Sequence, residues 1–162
     1  MPSHLRRRTE LPTKSLGKRR AQPFTYTPQL LEAVPLAQGQ RFVRQWLWVV
    51  NKAERFSSLC PVTGQPDWAE LDIAYVPDRL LVESKSLKEY LTSFRNHGDF
   101  HEDVVRVICD VLARLLAPRY LEVHGRFDSR GSIAIWPYAV YAAPGDAEAE
   151  ALARTRVAAH RP

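Results

Sequence analysis

Cys60 and Asp67 are the residues of this chain best suited to covalent chemistry. The thiol lies in the stretch Phe56-Ser57-Ser58-Leu59-Cys60-Pro61-Val62-Thr63-Gly64-Gln65-Pro66-Asp67, a turn-rich loop with a carboxylate seven residues on. A sulfur can attack an electrophile while a neighbouring acid supplies a proton. A cysteine taken alone more often packs as a small hydrophobe. The residues that change this balance lie downstream.

Two other groups could hold a ligand. Ser86-Leu87-Lys88-Glu89 has the S-x-x-E form of a capping box, and Asp99-Phe100-His101-Glu102 is its D-x-x-E relative, so both are expected to open helices. Lys85 and Lys88 flank the first start, where ammonium groups and free backbone N–H groups together suit a phosphate; a solvated cationic turn explains the same charges. At the second start His101 and Glu102 could grip a planar heterocycle, the carboxylate accepting two N–H donors from a guanine-like edge. The plainer reading of His101 is a satisfied structural histidine. His97 and His101 stand in H-x-x-x-H spacing, but the helix break at Asn96-His97-Gly98 separates them and Cys60 and Cys109 add no C-x-x-C pair, so no metal is expected.

These residues need elements to place them. Arg41 to Val50 alternates as a strand, and Asp67 to Val76 forms a second in which Ala69, Leu71, Ile73 and Tyr75 share one face. Leu87, Tyr90, Leu91 and Phe94 then make one helical stripe. A longer helix is expected from Phe100 to Leu116, with Val104, Val105, Ile108, Val111, Leu112 and Leu115 inward and Pro118 as its stop. Tyr120 to Phe127 and Ser132 to Tyr138 return to strand character around the turn Asp128-Ser129-Arg130-Gly131. A short helical turn is expected over Gln29 to Val34, and Asp146 to Ala159 reads as a frayed helix or as unordered chain. The order strand, strand, helix, helix, strand, strand argues for an α+β fold, an antiparallel sheet with two helices on one face.

The 162 residues suffice for one domain with a real core. The net charge of +5 is uneven: residues 1–23 carry seven Lys or Arg against one Glu, so the remainder is near −1. The basic tail is expected to be disordered, with at most loose contact to RNA phosphates. The densest apolar run, Trp46 to Val50, is strand-sized, far short of the roughly 18 residues of a membrane span. With no apolar signal core at the start, a cytoplasmic protein is the expectation. The expected organisation is a tail over 1–28, one catalytic domain over 29–142 and an alanine-rich extension over 143–162.

Three blocks carry a family resemblance: Phe56 to Asp67, Glu83 to Tyr90 (E-S-K-S-L-K-E-Y) and Ser93 to Asp103 (S-F-R-N-H-G-D-F-H-E-D). The chain resembles the NADPH-dependent nitrile reductases of queuosine biosynthesis, which reduce 7-cyano-7-deazaguanine (preQ0) to the 7-aminomethyl compound (preQ1), in their short, single-module form. The resemblance implies a tunnelling fold (T-fold), with a barrel completed by homo-oligomerisation into pentameric rings or a decamer of two rings. It also implies a small deazapurine substrate, NADPH as cofactor, and no need for a metal, direct tRNA binding or a membrane. By residue match Cys60 would add to the nitrile carbon as a covalent thioimide, and Asp67 would protonate nitrogen. His101 and Glu102, with Val82, Glu83 and Ser84, would hold the deazapurine; Lys85, Ser86 and Lys88 would serve the cofactor. Where the family reads R-G-G-I, this chain has Arg130-Gly131-Ser132-Ile133, and Glu89 replaces a usual Leu or Tyr. The competing readings are a zinc-dependent cyclohydrolase of the same fold that opens a purine ring, a non-catalytic RNA-binding module, and a related chain that kept the fold but lost turnover.

Overall fold

The computed structural model describes residues 24–36 and 46–160. Most of the basic tail, and the Arg41–Gln45 part of the first expected strand, lie outside the described residues. Among the described residues the chain forms β1 (Ala33–Pro35), β2 (Val49–Leu59), β3 (Pro66–Val76), β4 (Leu80–Val82), α1 (Ser84–Ser93), α2 (His101–Leu116), β5 (Tyr120–Phe127), β6 (Tyr138–Ala142) and α3 (Ala147–Ala159). The main sheet is antiparallel in the order β2-β3-β5-β6, and β1 pairs with β4 in a small second sheet. None of the helices is long and apolar enough to cross a membrane.

Strand period decides which face is covered. Ala69, Leu71, Ile73 and Tyr75 of β3 are buried, as are Leu121, Val123 and Phe127 of β5. They pack against Val104, Val105, Ile108 and Leu112 of α2 and against Leu87, Tyr90 and Phe94. Gly125 lets α2 sit this close to β5: a Cβ there would come within 2.7 Å of Val105 Cγ2 and 3.0 Å of Phe127. Gly125→Ala should therefore destabilise the fold by about 1–3 kcal/mol through overpacking. Urea unfolding that shows no loss would mean the helix backs away freely.

Several element boundaries differ from the sequence expectation. The first sheet strand begins at Val49 and runs to Leu59, while Trp46 to Trp48 are not strand. The last strand is Tyr138–Ala142 rather than Ser132 to Tyr138. The segment Arg130-Gly131-Ser132-Ile133 is instead a tight turn, with paired Arg130–Ile133 backbone hydrogen bonds and positive φ at Gly131 (57°) and Ser132 (69°). Both central residues in the left-handed region make a primed turn, and a glycine in place of Ser132 would fit without strain. The expected helical turn at Gln29 is a 3₁₀ turn over Pro28–Leu30, followed by β1. Within the expected tail, Tyr26 already packs on Phe94 and His97, with ring centroids 4.9 and 4.8 Å away.

Helix starts differ too. Glu83 caps α1, its carboxylate accepting from Lys85 N (3.0 Å) and Ser86 N (2.7 Å), so the helix opens before Ser86. At α2, Phe100 is the cap residue and Asp99 accepts from the adjacent Phe100 N–H.

The alanine-rich end is ordered helix on the sheet face opposite α2. Asp146 caps α3 and takes a two-point ion pair from Arg119 (2.6 and 2.9 Å), and Ala149 packs on Val76 and Tyr120. Farther along, Arg156 grips Glu122, which also accepts from the Tyr120 and Tyr138 hydroxyls. Burial alone would raise the Glu122 carboxyl, but Arg156 and the two hydroxyls bring it below its ordinary value.

Candidate active site

Cys60 follows the end of β2, and Asp67 is the second residue of β3. The six-residue connection is closed by Cys60 N–H to Gln65 O (2.8 Å) and Gly64 N–H to Cys60 O (2.9 Å), with Gly64 at φ 67°. A second segment braces this loop. Leu59 donates to His97 O and accepts from Asp99 N–H, at 2.9 and 3.1 Å, so the chain between α1 and α2 lies alongside it. A Cβ at Gly98 would stand 3.4 Å from Pro61 Cα, which shows how closely the two segments lie.

Asp67 continues the inward face of Ala69, Leu71 and Ile73, and its carboxylate is accordingly almost wholly buried, at 3% exposure. Two basic side chains meet it. Arg130 Nε lies 3.1 Å from one carboxylate oxygen and His101 Nε2 lies 3.2 Å from the other. The His101 nitrogen and this carboxylate oxygen are close without forming a directed hydrogen bond. The imidazole is held flat on Phe127, with centroids 3.9 Å apart and planes 7° from parallel. Phe127 is opposite Ala69 in the β3–β5 register, and Asp128 N–H bonds Trp68 O, which delivers Arg130 to the site.

Arg130 reaches Cys60 as well. Hydrogen bonds from the Thr63 side chain, from Arg130 and from the Thr63 and Val62 backbone bring the Cys60 thiol from 9.0 down to about 6, outweighing burial, which acts the other way. A thiol so placed is largely thiolate at neutral pH. Cys109 is the contrast: in the middle of α2, burial first and then Asp110 push its thiol up to about 12. The two thiols are thus shifted in opposite directions, and Cys109 belongs to the core.

The remaining expected residues fall into two groups. Glu102 is exposed in the first turn of α2, beside the buried His101 and on the Asp67 side of the molecule. Val82, Glu83 and Ser84 sit at the opposite end of α1, a ten-residue helix of about 15 Å, from the His97 segment that braces Cys60. One chain does not bring these three to Cys60. Ser86 is turned inward: its hydroxyl donates to Glu83 O (2.7 Å) and accepts from Glu32 N–H (3.0 Å), tying α1 to the segment before β1. Lys88 is exposed and, with Ser84, borders a groove of about 480 Å³ between β2 and α1. Arg55 and Arg95 border it too, and among the described residues no carboxylate does. That donor set fits a polyanionic cofactor.

Arg130 was missed from sequence as a site residue. Its only sequence signal was its place in the R-G-G-I-like turn.

Known proteins resemble this chain over most of its length. The family model described as QueF-like protein matches residues 66–146. A protein of Bdellovibrio bacteriovorus named NADPH-dependent 7-cyano-7-deazaguanine reductase is 50% identical over 135 residues, covering 83% of this chain and 77% of the relative. A protein of the same name from an Exiguobacterium species is 54% identical over 122 residues, 75% of this chain and 73% of the relative. Among solved structures, an archaeosine synthase QueF-Like in the apo form superposes with a TM-score of 0.54 at 20% identity, over 57% of this chain and 91% of that one. That likeness concerns the fold.

Proposed function

The chain belongs to the QueF-like family, and from that premise we infer that it reduces the nitrile of 7-cyano-7-deazaguanine to a primary amine with NADPH, through a covalent thioimide on Cys60. The observation that carries the covalent step is Arg130, 3.1 Å from the Asp67 carboxylate and placed to help lower the Cys60 thiol.

The chemistry follows from those contacts. The Cys60 sulfur forms a bond to the nitrile carbon, and one π pair of the C≡N bond moves to nitrogen. The sulfur enters as thiolate, so the proton that the nitrogen takes up is drawn from solvent and delivered through Asp67. His101 lies against the far side of the Asp67 carboxylate, its ring stacked on Phe127. Glu102, exposed beside them, accepts the N–H donors of the deazaguanine edge; an analogue without those donors would leave it desolvated and unpaired. NADPH, when bound, supplies the hydrides that take the carbon to the amine level. Lys88 borders the groove where the cofactor's phosphates are met, and Lys85 lies one helical step away.

Val82, Glu83 and Ser84 complete the deazapurine pocket from a neighbouring copy. Among the described residues β2 and β6 are the edges of an open antiparallel sheet, and edge pairing between copies closes the sheets into a T-fold barrel. Such rings place one chain's α1 start beside the next chain's Cys60. The domain that does this spans 29–142, and α3 is an addition on the other sheet face.

The test is direct. Protein incubated with preQ0 alone should gain the mass of one substrate per chain, mapped to Cys60. With NADPH added, two equivalents should be oxidised for each amine formed. Wild-type protein that turns over without any Cys60 adduct would sink the covalent mechanism.

A further inference from the structure

We propose that the groove between β2 and α1 seats the adenosine half of the cofactor, with Arg55 and Lys88 on its 2′-phosphate and Arg95 on its pyrophosphate. This rests on the NADPH reading above. It adds a binding site on β2, where the sequence motifs pointed only to the start of α1.

Arg55 is aimed by a break in the strand. β2 pairs with β3 in register from Val49↔Tyr75 to Ala53↔Leu71 and resumes at Phe56↔Ala69, so Glu54 and Arg55 together stand opposite Glu70. This is a β-bulge, which bends a strand and redirects its side chains. Its effect here is to reset the phase of the strand so that Phe56 returns to the core. Glu54 turns to the cleft with Glu70, Asp72 and Arg126 on the far face, while Arg55 turns into the groove beneath α1. In an unbroken strand they would also alternate, but Phe56 would then leave the core. The bulge keeps both Phe56 buried and Arg55 in the groove.

The other walls suit a phosphorylated nucleoside. Lys88 projects from α1 and Arg95 from the turn after it, where Arg95 Nε lies 3.4 Å from Ser57 Oγ. Leu87, Leu91 and Ile73 give an apolar floor on which a purine can lie. Position along β2 assigns the contacts. Arg95 is held at Ser57, three residues from Cys60, roughly 10 Å away along the strand; Arg55 is five residues away, roughly 16 Å. A dinucleotide extended along β2 with its reacting ring at Cys60 meets Arg95 first and Arg55 last.

Binding of NADPH and of NADH, each followed by cofactor fluorescence on full-length protein without substrate, tests this. Arg55→Gln should weaken NADPH binding by about tenfold or more, the loss of a charge-assisted contact, and leave NADH binding nearly unchanged. Arg55→Lys should keep most of the affinity, which separates a phosphate contact from a folding defect. Arg95→Gln should weaken both cofactors. Wild-type affinity for NADPH in Arg55→Gln, or an equal loss for NADH, would overturn the assignment. The covalent-adduct experiment reads the activity separately: a groove that binds NADPH in a protein forming no preQ0 adduct would leave this site standing and remove the proposed reaction.

Discussion

Cys60→Ala protein should gain no mass from preQ0, and its NADPH oxidation should fall by at least about 10⁴-fold, as removal of a covalent nucleophile does. The fold should survive this change. The loop is closed by the Cys60 and Gly64 backbone N–H groups and braced by Leu59 against the His97–Asp99 segment, and none of those bonds uses the sulfur. Removing one sulfur atom just past the end of β2 therefore reads the chemistry rather than the backbone that shapes the loop. Intact-mass and turnover measurements should be paired with thermal unfolding. Turnover within tenfold of wild type in a folded Cys60→Ala protein would show that sulfur is not the nucleophile. Cys60→Ser is the sterner version, since it keeps the size and the hydrogen bonds; its much less acidic hydroxyl should give almost the same loss.

What was legible in the sequence had a local cause. Asp67 could be placed on the inward face because it is in phase with Ala69, Leu71 and Ile73, and alternation fixes the face of every residue in an unbroken strand. The inward stripe of α2 and its stop before Pro118 were likewise written in spacing, with Ala117 taking the left-handed cap at φ 43°. β2 was misplaced for an equally physical reason. Its bulge at Glu54–Arg55 breaks the alternation that marks a strand, while the tryptophan-rich stretch before it mimics one. At α1, Glu83, Ser84 and Ser86 are all acceptable helix openers. Glu83 wins because its carboxylate reaches two N–H groups at once, which frees Ser86 to tie down the Glu32 backbone. α3 has no apolar stripe to read and is held by Arg119–Asp146 and Arg156–Glu122, contacts across 27 and 34 residues. Arg130 belongs to the same class. Its meeting with Cys60 and Asp67 depends on the β3–β5 register and on the turn at Gly131–Ser132, neither of which a local pattern announces.

The remaining large effect concerns how Cys60 is activated. Its thiol is held near 6 by the Thr63 side chain first, then by Arg130 and the Thr63 and Val62 backbone. The reactive form is the thiolate, so the rate of adduct formation in wild-type protein should rise through a limb centred near pH 6 and be flat by about pH 8. The sign is that of a lowered acid constant: nucleophile is lost as pH falls through 6, not as it rises toward 9. Thr63→Val removes the largest contribution and should carry the limb upward, toward the ordinary thiol value. Arg130→Met should do the same by a smaller step, and in addition takes from the buried Asp67 carboxylate the guanidinium that lies 3.1 Å from it. The two variants therefore separate the roles. Compared at pH 9, where each thiol is largely ionised, Thr63→Val should recover most of its adduct rate. Arg130→Met should not, because Asp67 has lost the guanidinium that held it toward the sulfur. Rapid-quench measurement of adduct formation from pH 5 to 10 reads both. A limb that stays near 6 in both variants would assign the activation of Cys60 to its backbone donors alone, and full recovery of Arg130→Met at pH 9 would remove Arg130 from the positioning of Asp67.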